Sequence, residues 1–114
     1  MSSVIETTPS NDTVMTVPEP GLRRQVMSFT PDMMLVRHRM EKGWVGAKHQ
    51  HPHEQMVYIV SGHIVLEHPG GKVDAETGDS FIVPGNTDHQ AWALEDSEVL
   101  DIFTPYREDY APKT

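Results

Sequence analysis

Between Leu22 and Phe103 the apolar residues come in short runs, each broken by a turn signal after roughly eight to twelve residues. That spacing restricts the chain to an all-β sandwich or barrel, because no window carries a helical period with caps at its ends. Residues 33–40 alternate and stop at Lys42-Gly43, and residues 44–51 form a second run stopped by Pro52. Residues 55–60 lead through Ser61-Gly62 into residues 63–68. Pro69-Gly70-Gly71 then supplies a tight turn with permissive glycines, and residues 72–75 return as a short strand. Thr77-Gly78-Asp79 precedes residues 80–83, Pro84-Gly85-Asn86 turns again, and residues 89–94 and 97–103 complete eight or nine expected antiparallel strands. A jelly roll of such strands encloses a cavity between its sheets and hides most edges. The only helical candidate, residues 106–110, is too short to stand alone. Residues 1–21, with Pro9, Pro18 and Pro20, read as a flexible arm with room for an edge strand at its end, and residues 22–114 as a single barrel domain.

Composition removes whole classes of function. At 114 residues one domain is expected, burying between ~60% and ~70% of the unfolded surface without covalent staples. The chain has no cysteine, which excludes disulfide scaffolds, thiolate zinc fingers, iron–sulfur clusters and cysteine nucleophiles. A net charge of −8 argues against a phosphate-backbone binder, so no nucleic-acid partner is expected. No basic start followed by an apolar run marks an export signal, and no stretch approaches the ~20 apolar residues of a membrane span. A cytoplasmic location is the expectation from these absences. What remains is a small acidic domain with seven histidines.

Three of the seven fall close together, at His49, His51 and His53. Residues two apart on an extended strand share a face, so His49 and His51 point the same way from neighbouring rungs. Two such imidazoles grip one first-row divalent ion. Gln55 opens the next strand with the same parity, and its amide oxygen is a hard neutral ligand. His89 follows the Pro84-Gly85-Asn86 turn, where an antiparallel partner strand brings it alongside. Three neutral imidazoles and an amide leave the ion's charge uncompensated, which makes a strong Lewis acid. The alternative is a surface tract that binds metal only adventitiously. His53 is a supporting residue or a spare, whereas His38, His63 and His68 lie in alternating strands and are expected to face solvent or to hydrogen-bond locally.

The spacing resembles the two motifs of the cupin family. Gly43, His49-Gln50-His51, Gln55 and Gly62 meet every spacing of the first motif. Gly78, Pro84 and His89 follow the second, with Asn86 where the motif has glycine and Ala93 where it has asparagine. Asn tolerates the left-handed backbone that such a glycine provides. The resemblance implies a double-stranded β-helix, the cupin jelly-roll barrel, and a metal on His49, His51, Gln55 and His89. Its identity (Zn, Ni, Mn or Fe) is left open.

The phrase His-Pro-His-Glu-Gln and the tail from Leu100 to Tyr110 are further similar to the small single-domain cupins of pectin degradation. Those open monomeric 4,5-unsaturated uronates, the products of pectate and alginate lyases, into linear keto sugars. The resemblance therefore implies a small anionic sugar as partner and Asp101, Phe103 and Arg107 as the residues facing it. Asp101 is the acid–base candidate, inward with Phe103 in an apolar strand; the alternative is a surface carboxylate in the acidic stretch Glu95, Asp96 and Glu98. Arg107 clamps a carboxylate, or else forms a rim salt bridge with Glu108, Asp109 or Asp101. Arg23, Arg24, Arg37 and Lys48 are further candidate anion contacts. Trp44 and Trp92 line the cavity mouth or simply pack, Met33, Met34 and Met40 fill the core or a dimer interface, and Tyr58 faces outward. An iron-dependent dioxygenase is the rival enzyme, since three histidines with open positions suit iron and oxygen. A non-catalytic sugar- or metal-binding module is the rival of another class. A homodimer paired through edge strands is the expected assembly.

Overall fold

Alternation of inward apolar and outward polar side chains builds the molecule from nine strands. The computed structural model describes residues 4–112. After a short 3-10 turn at Ser10–Asp12 come β1 (Met15–Glu19), β2 (Leu22–Thr30), β3 (Met33–Met40), β4 (Glu54–Ser61), β5 (His63–His68), β6 (Gly71–Glu76), β7 (Ser80–Val83), β8 (Gln90–Ala93) and β9 (Ser97–Thr104). They form a six-stranded sheet in the order β1-β2-β3-β9-β4-β7 and a three-stranded sheet in the order β6-β5-β8. Every pairing among them is antiparallel. The chain is an all-β jelly roll.

The core consists of two apolar clusters, one joining the two sheets and one joining the six-stranded sheet to residues 106–111. Leu22, Met40, Val57, Ile59, Ile64, Ala75, Ala93 and Val99 form one, with Trp44 and Phe81 packed against it. Met34, Val36 and Phe103 form the other, backed by Val26, Tyr106 and Tyr110. Fully burying a side chain such as Ile59 stabilises the fold by about 1.5–3 kcal/mol. Between the clusters the inward positions of β2, β3, β4 and β9 turn polar, at Arg24, His38, Gln55 and Asp101, and a cavity opens there.

Two glycines are required by close approach. A Cβ on Gly62 (φ 102°) would lie 2.2 Å from the Ser97 hydroxyl, and one on Gly85 would lie 2.4 Å from the Pro52 carbonyl. Next to Gly85, Asn86 adopts φ 61°, the left-handed conformation expected of it, and its N–H donates to the His51 carbonyl at 2.7 Å.

One strand expectation is corrected and one strand is added. Residues 44–51 make only isolated bridges, Val45 to Trp92 and His49 to His89, instead of a continuous strand. The Gly46 N–H donates to the Ala91 carbonyl at 2.9 Å, and backbone pairing with the β8 side resumes only at His49 and His89. Conversely β2 was not placed by the turn spacing: the polar run Arg23-Arg24-Gln25 hides its alternation. Gln25 is buried under residues 10–13, donating to the Thr13 hydroxyl at 2.6 Å. Residues 106–110 hold a turn, in which the Tyr110 N–H donates to the Arg107 carbonyl.

Candidate metal centre

The bridge between His49 and His89 is a pair of backbone hydrogen bonds of 3.0 and 2.9 Å, which sets the two imidazoles side by side with ring centres 4.4 Å apart. His51 closes the group, 5.0 Å from the His89 ring and 5.6 Å from the His49 ring. One ring nitrogen from each of the three lies within 4.8 Å of the others. His51 and His89 are buried, and exposed His49 leaves the group open to solvent.

The donor chemistry fits a cation. Each imidazole uses Nδ1 on a backbone carbonyl: His49 on Ala47 (2.9 Å), His51 on His53 (3.0 Å) and His89 on Thr87 (2.8 Å). A carbonyl only accepts, so each Nδ1 carries the proton and each Nε2 keeps a free lone pair. Burial pushes the His51 and His89 imidazoles below the usual histidine range, assisted by the nearby Arg107 charge, and so favours the neutral form that ligates metal. Gln55 Oε1 lies 3.1 Å from His51 Nε2. Two acceptors facing each other at that distance call for a positive charge between them. Two ligands at a right angle, each about 2.1 Å from an ion, are separated by about 3.0 Å. His49, His51 and His89 could therefore hold a metal ion.

Beside the triad lies Asp101, 4% exposed. Its Oδ1 accepts from the Gln55 amide at 2.8 Å and its Oδ2 from His38 Nδ1 at 2.6 Å. Phe103 is buried, with its ring set edge-on to those of His51 and His53. Arg107 is also buried; Asp109 accepts from its Nε at 3.0 Å and its Nη2 at 2.9 Å. Burial opposes the Arg107 charge, but the hydrogen bonds it donates to Asp109 and the charges of nearby acidic groups prevail and raise its pKa. Tyr110 lies between two cations, with the Arg24 guanidinium 3.7 Å and that of Arg107 4.1 Å from its ring centre. Triad members His49 and His89, with Gln55, Asp101, Phe103, Arg107, Arg24, His38 and Tyr110, line one cavity of about 230 Å³.

The structure thus gathers the residues singled out from the sequence, and it separates others. Of the candidate anion contacts, Arg24 lines the cavity. Arg23 lines a different cleft, and Arg37 lies against Glu98 and Gln25. Trp44 lines the cavity and Trp92 is not among its lining residues. His53 supports the triad through its carbonyl, while its Nε2 meets the Tyr106 carbonyl.

His38 corrects an expectation. It is buried and bonded to Asp101 on the neighbouring strand β9 instead of facing solvent or bonding locally. Its parity with Met34, Val36 and Met40 was the available signal, obscured by Met33 and Leu35 on the opposite face. Tyr110 carried no signal beyond its place in the tail.

Residues 36–103 match the cupin domain family. The chain belongs to the cupin family. This cupin is 33% identical over 92 residues to the pectin degradation protein KdgF of Dickeya dadantii (strain 3937), a match spanning 79% of this chain and 84% of that one. The structure of KdgF from Halomonas sp. superimposes with a TM-score of 0.85 at 38% identity, over 93% of this chain and 100% of the other. An RmlC-like cupin from Shewanella frigidimarina NCIMB 400 superimposes with a TM-score of 0.87 at 32% identity, over 97% and 100% of the two chains. No helix among the described residues is long and apolar enough to cross a membrane.

Proposed function

We propose that this cupin converts a monomeric 4,5-unsaturated uronate into its linear keto form, using one divalent transition metal ion held by His49, His51, His89 and Gln55. The observation that carries the reading is a cavity of about 230 Å³ lined by a buried carboxylate, two guanidinium groups and two imidazoles of the triad. That volume lies below the ~300–1,000 Å³ of pockets that hold drug-sized ligands, and suits one sugar ring. Similarity to two KdgF proteins, one of them named for pectin degradation, supports a uronate.

In such a sugar the ring oxygen joins C1 to the C5 end of a C4=C5 double bond. Opening breaks the bond between C1 and the ring oxygen as the proton of the C1 hydroxyl passes to that oxygen, leaving an aldehyde at C1 and an enol at C5. The enol hydroxyl then gives up its proton as another adds at C4, leaving a ketone. No atom is gained or lost overall. The bound ion, with only neutral ligands from the protein, would supply Lewis acidity for enolate charge.

The chain's own residues do the rest. Asp101 takes the hydroxyl proton and returns a proton at C4, as an acid–base group held in place by two hydrogen bonds. Arg107 holds the substrate carboxylate: Asp109 uses two of its five N–H donors and leaves the others for a ligand. Phe103 packs against the triad and keeps water from that side. With a chain charge of −8, capture of an anion depends on these local cations.

The test follows the ultraviolet absorbance of an unsaturated uronate monomer with metal-loaded protein. The absorbance is expected to fall faster than in the spontaneous reaction, with the keto product visible by NMR. An unsaturated disaccharide, whose unsaturated ring has no free C1 hydroxyl, should not react. No acceleration of the monomer reaction by loaded protein would sink the proposal.

A further inference from the structure

Four hydrogen-bonding groups stand in a row across β2, β3, β9 and β4, and the donor-only Arg24 and the acceptor-only Asp101 fix the direction of every bond in it. Arg24 and His38 are direct cross-strand partners, and Arg24 Nε lies 3.0 Å from His38 Nε2. His38 Nδ1 lies 2.6 Å from Asp101 Oδ2, Asp101 Oδ1 lies 2.8 Å from Gln55 Nε2, and Gln55 Oε1 faces His51 Nε2.

A guanidinium only donates. His38 Nε2 must therefore accept, which places the His38 proton on Nδ1. That N–H is directed to Asp101 Oδ2, so Asp101 serves as acceptor on this side. At Oδ1 it again accepts, and only the nitrogen end of the Gln55 amide can donate. The carbonyl end is left facing the triad. Reversed, the amide would set an acceptor against Asp101 and offer two N–H groups, useless to a cation, to the metal position.

We propose that Arg24 and His38 are positioning residues: they hold Asp101 in the place from which its acceptor Oδ1 decides which end of the Gln55 amide faces His49, His51 and His89. The proposal rests on the reading of Gln55 as a metal ligand. Arg24 is itself held against the Tyr110 ring, which keeps its Nε aimed at His38.

The test uses the full chain, ¹⁵N-labelled and metal-free, with long-range ¹H–¹⁵N correlation on the His38 ring. The wild type is expected to show the Nδ1–H tautomer. Arg24→Met is expected to populate Nε2–H and to weaken zinc binding by about tenfold to a hundredfold in a chelator competition, the usual effect of losing an outer partner of a metal ligand. Arg24→Lys, which keeps a donor on a long stem, is expected to return the tautomer and most of the affinity, a rescue that a purely packing role would not give.

A wild-type His38 in the Nε2–H form would overturn the proposal even if the variants failed to fold. So would an Arg24→Met protein with unchanged tautomer and affinity. Gln55→Ala separates the underlying reading: unchanged zinc affinity there, with a tautomer that still follows Arg24, removes Gln55 from the ligands and upholds the relay from Arg24 to Asp101.

Discussion

Among the described residues two histidine–aspartate pairs occur, His38 with Asp101 inside the barrel and His63 with Asp74 on the three-stranded sheet. The chemistry of the pairs is the same and their surroundings are opposite. Inside, both side chains are buried, and His38 Nε2 and Asp101 Oδ1 each find a further partner, in Arg24 and Gln55. Outside, Asp74 is exposed, and His63 also has the Glu76 carboxylate 3.9 Å away. A buried hydrogen-bonded pair demands that every polar atom be satisfied, so its geometry is fixed and removing one partner is costly. A solvated pair has water as an alternative and contributes little. The inner pair therefore stands as part of the site, and the outer pair as a surface contact.

That contrast orders the expected effects. His89→Ala or His51→Ala takes one imidazole from a triad of three, and each should abolish stoichiometric metal in the purified protein, checked by elemental analysis. Asp101→Asn should still take up stoichiometric metal when metal is supplied in excess, because the triad is intact, although its affinity falls once the Gln55 amide is no longer held. Turnover should fall about a hundredfold or more, since the acid–base group is gone and its new NH2 confronts a donor on Gln55 or His38. Steady-state rates on the uronate monomer, alongside metal content, test this.

The same division holds for packing. Phe103→Ala should cost about 3–5 kcal/mol in urea unfolding, because Phe103 is fully buried against the triad. Ile82→Ala, on the exposed face of β7, should stay within about 0.5 kcal/mol.

The smallest effect belongs to the outer pair. The hydrogen bond to Asp74, then the charges of Asp74 and Glu76, raise the His63 pKa above its usual value of about 6.5. The folded state therefore binds this proton more tightly than the unfolded chain does. Its stabilisation is fully present below the unfolded pKa and is lost as pH rises through the folded one. Asp74→Asn should lower the melting temperature slightly at about pH 5 and leave it unchanged at about pH 9. Equal losses at both values would show that the pair acts by packing.

The sequence treated these two histidines alike, since both sit in alternating strands. Alternation reveals that two residues share a face but does not reveal which face meets the other sheet when both carry apolar residues, as Met33, Met34, Leu35 and Val36 do in β3. The jelly roll was legible because turn residues punctuate it at Gly62, Pro69-Gly70-Gly71, Gly78 and Pro84-Gly85-Asn86. The triad was legible because fixed spacings carry His49, His51 and His89. Arg24 could be named only as one cation among several, because its role depends on β2 pairing with β3 in the register that sets it beside His38. Likewise the fork of Arg107 with Asp109 was one alternative among three carboxylates until the turn at residues 107–111 brought them together.

The central claim is that the triad's metal is required to open an unsaturated uronate. Its most direct test compares one preparation stripped by chelator with the same preparation reloaded with one equivalent of metal, following monomer absorbance in both. Stripped protein should run no faster than the spontaneous reaction, and reloading should restore the rate. A stripped protein as fast as the reloaded one would contradict the account.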